Sequence, residues 1–143
     1  MDNIVKGLTE LKTISTKVTI KESKQIIIRL ENVLKITKGY GLTGVQINVP
    51  KRVSIIRIND YKLDLINPKI IDKWSRVRFP KEGCLSLPGL RVDTMRYKMV
   101  SFENEVDGER IEQHISGLPA MCIQHEVDHM NGITILDRKW RKR

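Results

Sequence analysis

The chain has 143 residues, a formal net charge of +9 and only two cysteines, which fits one domain with a real core and is too short for two. No apolar run approaches the roughly 18 residues of a membrane span, and the opening Met1-Asp2-Asn3-Ile4-Val5-Lys6-Gly7 lacks the apolar stretch and cleavage site of a secretory signal. Two cysteines make no disulfide framework, so a reducing interior is expected, with each cysteine weighed as ligand, nucleophile or small buried hydrophobe.

Residues 1–18 are polar and weakly patterned. From Lys21 to Lys38 the apolar residues Ile26, Ile27, Leu30, Val33 and Leu34 recur at helical spacing, with Gly39 placed to stop the helix. Stretches 45–49, 52–58, 62–66 and 74–79 read as strands, separated by Pro50, Asn59-Asp60 and Asn67-Pro68. Stretches 96–104 and 109–115 read as a hairpin through Val106-Asp107-Gly108, whose Asp-Gly suits a tight turn. A second helix is expected from an N-cap at Ser116, with Pro119 in its first turn. It carries Met121, Cys122, Ile123, Val127 and Met130, stops at Asn131-Gly132, and is followed by a short apolar segment, 133–136. One helix early, strands between and one helix late predict an α+β fold with antiparallel or mixed strands, not a doubly wound sheet. No repeat or linker divides residues 1–143.

Most of the Lys and Arg are scattered, as on a solvated surface. The exception is the end, where Arg138, Lys139, Arg141, Lys142 and Arg143 flank Trp140. Such a tail can grip RNA phosphates and stack on a base, although a solubilising end is the commoner use.

The strongest chemical signal is His125-Glu126-Val127-Asp128-His129. Two histidines four apart on a helix lie on one face and can reach one divalent ion. Glu126, offset around the helix, can address water at that ion without being a ligand. An ordinary polar i,i+4 pair is the competing use, but two of only three histidines fall at this spacing. The third ligand has to come from upstream. The position six after His129 is Ile135, and the only acidic residue beyond His129 is Asp137. Cys84, Cys122 and His114 are therefore the candidates. Cys122 precedes His129 by a helical rise of about 10 Å, too far for three ligands of one helix to converge, and reads as wall or core. His114 ends a strand and reads as an ordinary polar residue. Cys84, in Glu82-Gly83-Cys84-Leu85-Ser86, is the best soft anionic ligand, and a Cys-His-His set leaves a fourth position open as a catalytic site needs.

Three segments in order resemble the motifs of the peptide deformylase family: Gly39-Tyr40-Gly41-Leu42-Thr43-Gly44-Val45-Gln46, Glu82 to Ser86, and Gln124 to His129. The likeness covers residues 20–138. It implies a metal held by Cys84, His125 and His129, natively Fe²⁺ and replaceable by Zn²⁺, Ni²⁺ or Co²⁺. It implies hydrolysis of the N-formyl group of the initiator Met of nascent chains, releasing formate. Glu126 would move the proton, while the Gln46 amide and the Leu85 backbone N–H would stabilise the oxyanion. Backbone near Tyr40, Gly41 and Gly89 would pair with the peptide, and Tyr40, Met121, Cys122 and His125 would wall an apolar pocket for Met. Glu82 and Arg96 would form an ion pair behind the cysteine loop. The HExxH helix then becomes the central metal-binding helix of one catalytic domain spanning residues 1–143.

Two departures stand out. The family's first motif carries two alanines where this chain has Thr43-Gly44-Val45, which puts the packing behind Gln46 and the substrate entrance in question. The chain stops soon after Asp137, without the C-terminal helix of many bacterial members, which suggests a short form of phage-encoded or organellar type. A monomer in the cytoplasm of a bacterial or phage-infected cell is expected, with the basic tail contacting the ribosome. Two other functions compete: a zinc-dependent peptidase of HExxH type, and an RNA-binding module with a structural metal. Peptidases of this type normally draw a downstream ligand, and a structural site normally has four protein ligands and no use for Glu126.

Overall fold

The computed structural model describes residues 2–142. A single helical turn, α1 (Leu8–Leu11), comes first, followed by the long helix α2 (Ile20–Thr37). The capping box at α2 is reciprocal: Thr19 Oγ1 accepts from the Glu22 N–H, and Glu22 accepts from the Thr19 N–H. Its apolar face (Ile26, Leu30, Val33, Leu34) is buried as the spacing predicts. The expected stop at Gly39 is displaced by one residue. Lys38 adopts the left-handed conformation that ends the helix, and Gly39 lies beyond it.

Six strands follow: β1 (Gly41–Thr43), β2 (Val53–Ile58), β3 (Tyr61–Ile66), β4 (Lys69–Glu82), β5 (Val92–Val106) and β6 (Glu109–Ser116). They form two antiparallel three-stranded sheets, ordered β1-β2-β3 and β4-β5-β6. The fold is thus α+β with antiparallel strands, as expected. The β5–β6 hairpin turns through Asp107 and Gly108, both at positive φ, the geometry for which Asp-Gly is suited. One expected strand is absent: residues 44–47 form a 3₁₀ turn. The Thr43 N–H donates to the Gln46 side-chain oxygen, and Asn48 turns left-handed, so local bonds replace a ladder.

Helix α3 (Leu118–Met130) closes the fold with a last 3₁₀ turn at Ile135–Arg138. Pro119 sits in its first turn as predicted, but Ser116 is no N-cap. Its backbone is spent in the ladder opposite Met99, and Gly117, at φ 71, makes the corner from β6 into α3.

Strand β2 explains how the two helices share the middle of the molecule. Val53 and Ile55 pack with α2, whereas Ile56 and Ile58 pack with Ala120, Ile123, Val127 and Met130 of α3. Both faces of β2 are covered, so its sequence reads as a continuous apolar run. Each fully buried Ile or Leu here contributes roughly 1.5–3 kcal/mol. The two layers therefore fix α3 firmly against β1, β2 and β5.

Candidate metal and catalytic site

His125 and His129 project from one face of α3 with ring centroids 4.8 Å apart and ring planes at 68°. Their Nε2 atoms face each other at 3.1 Å. Cys84, on the loop after β4, brings its Sγ to 3.4 Å from His129 Nε2. Among the described residues these three form the group that could hold a metal. Metal–nitrogen bonds of about 2.0–2.1 Å and a metal–sulfur bond of about 2.3 Å put tetrahedral ligand atoms about 3.3–3.6 Å apart. The Nε2–Nε2 and Sγ–Nε2 separations lie close to that spacing, and a thiolate with two imidazoles suits a borderline-soft divalent ion. The competing third ligands drop out. His114 stands exposed on β6 beside Glu112, with 68% of its side chain open to solvent. Cys122 lines the groove wall, and burial pushes its thiol up to about 12, with Glu126 and Glu82 adding to the rise, so it stays neutral.

Behind the histidines runs a chain of charged groups. His125 Nδ1 lies 2.6 Å from Glu82 Oε2, so an N–H there donates to the carboxylate and leaves Nε2 with its lone pair facing Cys84 and His129. Glu82 also accepts from Arg96 Nε and Nη2 at 2.9 and 2.7 Å, and from Thr94 Oγ1 at 2.6 Å. Arg96 Nη1 continues to Asp128 at 2.6 Å, and Arg138 grips the same carboxylate at 2.9 and 3.1 Å. Burial alone would raise the Glu82 carboxyl, but the bonds from His125 and Arg96 outweigh it and hold it far below the usual carboxylate range. The Glu82–Arg96 pair is present, as the family resemblance implied. The sequence assigns neither Asp128 nor Arg138 to this network. Asp128 occupies a variable position inside the HExxH pattern, and Arg138 looks like one more basic residue of the tail. The available signal was an acidic residue on the buried face of an apolar helix.

Burial also works against a proton on His125, but Glu126, Cys84 and Glu82 around it more than offset that and favour positive charge at this point. The same surrounding negative charge favours a cation at this point. His129 is held well below the usual histidine range by burial and by the neighbouring His125 and Arg96, and so is neutral, as a ligand must be.

Glu126 is 3% exposed, and its Oε1 is buried with no hydrogen-bond partner. Burial pushes its carboxyl up to about 7, against the pull of the His125 charge. Gly41 makes this position possible: a Cβ there would come within 2.7 Å of Glu126 Oε2 and 3.0 Å of the Ile55 carbonyl. Gln46, 2% exposed, directs its amide nitrogen to Ser86 Oγ at 3.1 Å and to Cys84 Sγ at 3.7 Å.

These groups form the floor of a groove of about 720 Å³, which Tyr40, Gly41, Leu85, Gly89, Met121 and Cys122 also line. Thr43, Gly44 and Val45 are buried behind it and do not line it. Their departure from the family pattern therefore falls on the backing of Gln46 and not on the residues that line the groove. Thr43 Oγ1 donates to the Val53 carbonyl, and a Cβ on Gly44 would land on the Val49 carbonyl oxygen. The fold and the donor set together define an α+β protein with a candidate metal site beside a buried carboxylate.

Comparison with known proteins narrows this class. The family model described as Polypeptide deformylase matches residues 2–143. The peptide deformylase of Aquifex aeolicus is 39% identical over 145 residues, covering 93% of this chain and 85% of that protein. The crystal structure of peptide deformylase from Thermotoga maritima superposes with a TM-score of 0.91 at 28% identity, covering 99% of both chains. That of a peptide deformylase from Synechococcus elongatus in complex with actinonin gives 0.90 at 30% identity, over 99% of this chain and 80% of the other. The chain belongs to the polypeptide deformylase family. Members of this family are metal-dependent enzymes.

Proposed function

We propose that this chain removes the N-formyl group from the initiator formyl-methionine of nascent polypeptides, releasing formate and a free amino terminus. The carrying observation is the convergence of Cys84 Sγ and the two histidine Nε2 atoms beside a buried, unpartnered Glu126, within a chain matched along its length by the family. Cys84, His125 and His129 would hold one divalent ion, with Fe²⁺ the native choice and Zn²⁺, Ni²⁺ or Co²⁺ as substitutes. Such an ion lowers the pKa of water and polarises a carbonyl.

The protein's own groups account for the rest of the chemistry. Glu126, raised toward neutrality, takes a proton from the attacking water and delivers it to the departing nitrogen. The Gln46 amide N–H and the Leu85 backbone N–H donate to the oxygen on which negative charge develops. Ser86 holds the Gln46 amide in place beforehand, so little reorganisation is needed. An extended peptide lies along the groove against backbone at Tyr40, Gly41 and Gly89, in the manner of an added strand. Met121 and Cys122 supply apolar wall for the methionine side chain. In this reading α3 is the central metal-binding helix and residues 1–143 act as one catalytic domain and as a monomer. The bacterial or phage-infected cytoplasm, or an organelle, is the working compartment, since formylated nascent chains occur there. No helix among the described residues is long and apolar enough to cross a membrane.

The basic tail supports ribosome contact. It docks on the molecule through the Trp140 N–H to the Asp93 carbonyl (2.8 Å) and a bridge between Lys139 and Thr94. Arg76 stacks over the Trp140 ring at 4.2 Å.

The deciding experiment is metal analysis with a formate-release assay on anaerobically purified protein. Formate from a formyl-Met peptide and no cleavage of its unformylated counterpart are expected. Cleavage of the peptide chain itself would overturn the reading in favour of a peptidase.

A further inference from the structure

The mouth of the groove carries a charge pattern that deformylation of a generic peptide does not require. Four cations line it, from four separate segments: Lys6 ahead of α1, Lys38 at the end of α2, Lys81 near the end of β4, and Arg91 just before β5. Two are seated on the loop that bears Cys84. Lys6 Nζ donates to the Leu85 carbonyl at 3.2 Å, and the Arg91 guanidinium lies against Gly83. The other two stand at left-handed backbone positions, Lys38 at φ 59 and Lys81 at φ 51, where the chain turns out of an element at the rim.

Among the described residues none of the four side-chain cations has a carboxylate within 4.0 Å, as the paired Arg29, Arg57, Arg78 and Arg110 do. Only two acids line the groove. Glu82 is spent on Arg96 and His125, and Glu126 lies buried at the floor. Asp93, whose Oδ1 accepts from the Lys81 backbone N–H at 2.9 Å, is paired with Arg78 through Oδ2. The rim therefore carries four cationic side chains without a paired carboxylate of their own, with Asp93 held beside Lys81 by Arg78, in a groove that focuses their field.

We infer that these four residues make the enzyme selective for formyl-Met peptides bearing Asp or Glu in the positions just after the methionine. The inference rests on the deformylase reading of the same groove and adds to it a substrate class. An extended peptide advances about 3.3 Å per residue with side chains alternating to opposite sides. With its formyl end on the floor, its second to fourth residues pass the rim, and carboxylates there meet cations on whichever wall they face. A single exposed pair contributes little; four unpaired cations around one short segment act together. Because the contacts lie away from the reacting carbon, they hold substrate and transition state alike and appear in KM.

The test uses three C-terminally amidated formyl-Met tetrapeptides that differ only in having Glu, Gln or Lys at the second and third positions. Amidation removes the terminal carboxylate, which would otherwise imitate an acidic side chain. The expected order of kcat/KM is Glu above Gln above Lys, with about threefold to tenfold between Glu and Gln at about 0.05 M salt, carried by KM. The gap should shrink below about twofold at about 0.5 M salt, where screening acts over a few ångströms. The double variant Lys38→Gln/Lys81→Gln should narrow the Glu-to-Gln ratio, and Arg91→Gln, read separately because Arg91 also braces Gly83, should narrow it further. Equal rates for the three peptides, or a preference unaffected by salt, would overturn the selectivity and leave deformylation intact. Absence of formate from all three would instead overturn the deformylase reading on which it depends.

Discussion

At Glu126 burial, charge and steric contact meet in one side chain. Its carboxyl is raised by burial, feels the charge of the adjacent His125, and stands where a Cβ at Gly41 would come within 2.7 Å of Oε2. Glu126→Gln keeps the shape and removes the proton acceptor. We expect a loss of kcat of at least about 10²-fold, in line with general acid–base contributions, with metal content unchanged by elemental analysis. Full activity in that variant would remove Glu126 from its role. Glu82 makes a second case. Its carboxyl is held below its ordinary value of 4.5 by His125 and Arg96 in spite of burial. A depressed carboxylate contributes stability that is complete above its unfolded pKa and is lost as pH falls through the folded one. Glu82→Gln should therefore cost about 3–5 kcal/mol at neutral pH, the usual result of breaking a buried pair. The difference in urea midpoint between wild type and variant, both freed of metal, should shrink as pH falls below about 4.5. A constant difference across that range would contradict the assignment.

The element that departs most from its apparent pattern is the turn at Gly44–Ile47. Val45, Ile47 and Val49 alternate as a strand would, but β1 ends at Thr43 and the chain folds over so that Gln46 reaches Cys84 and Ser86. The turn is tight enough that Val49 N–H bonds back to the Gly44 carbonyl, and a side chain at 44 has no room. Gly44→Ala should destabilise the protein by about 1–3 kcal/mol, as overpacking does. It should also lower kcat/KM on formyl-Met peptides without altering metal stoichiometry, because Gln46 moves and the ligands do not. An unchanged melting temperature would mean that the turn relaxes at no cost. Helix α3 makes the complementary point. Its boundaries are set by Gly117 and Asn131, yet its position is set by the two apolar layers on either side of β2.

For the whole molecule, the candidate metal cluster joins Cys84 on the loop after β4 to two histidines of α3, beside the His125–Glu82 contact that links the same parts of the chain. Removing the ion with a chelator should abolish formate release and lower Tm, because the folded state loses a ligand that the unfolded chain binds less well. Adding Fe²⁺ under anaerobic conditions should restore both. A chelated protein with unaltered Tm would show that the cluster carries no folding energy. The tail acts at the same scale. Arg138 is tied to Asp128, so Arg141→Glu/Lys142→Glu is the cleaner probe of ribosome contact. Lower ribosome affinity with a shallower salt dependence is expected, and unchanged affinity would dispose of the role.

What could be read from the chain alone follows from local rules. The 3.6-residue period of α2, the Asp107-Gly108 hairpin and the i,i+4 histidines with Glu126 between them depend on neighbours a few residues away. So does the negative inference that no residue after His129 offers a suitable third ligand. Tertiary structure alone decided what depends on contacts across dozens of residues. Ser116 was lost as a cap because its backbone pairs with Met99. Residues 45–49 failed as a strand because the chain turns at Gly44–Ile47, where the Thr43 N–H bonds to the Gln46 side chain and Gln46 reaches Ser86. Asp128 and Arg138 proved to be the far end of the network that orients His125. The motif from His125 to His129 identified the chemistry because a helix fixes its spacing. The ring of Lys6, Lys38, Lys81 and Arg91 was invisible for the converse reason: four scattered cations become one feature only when the fold closes the groove between them.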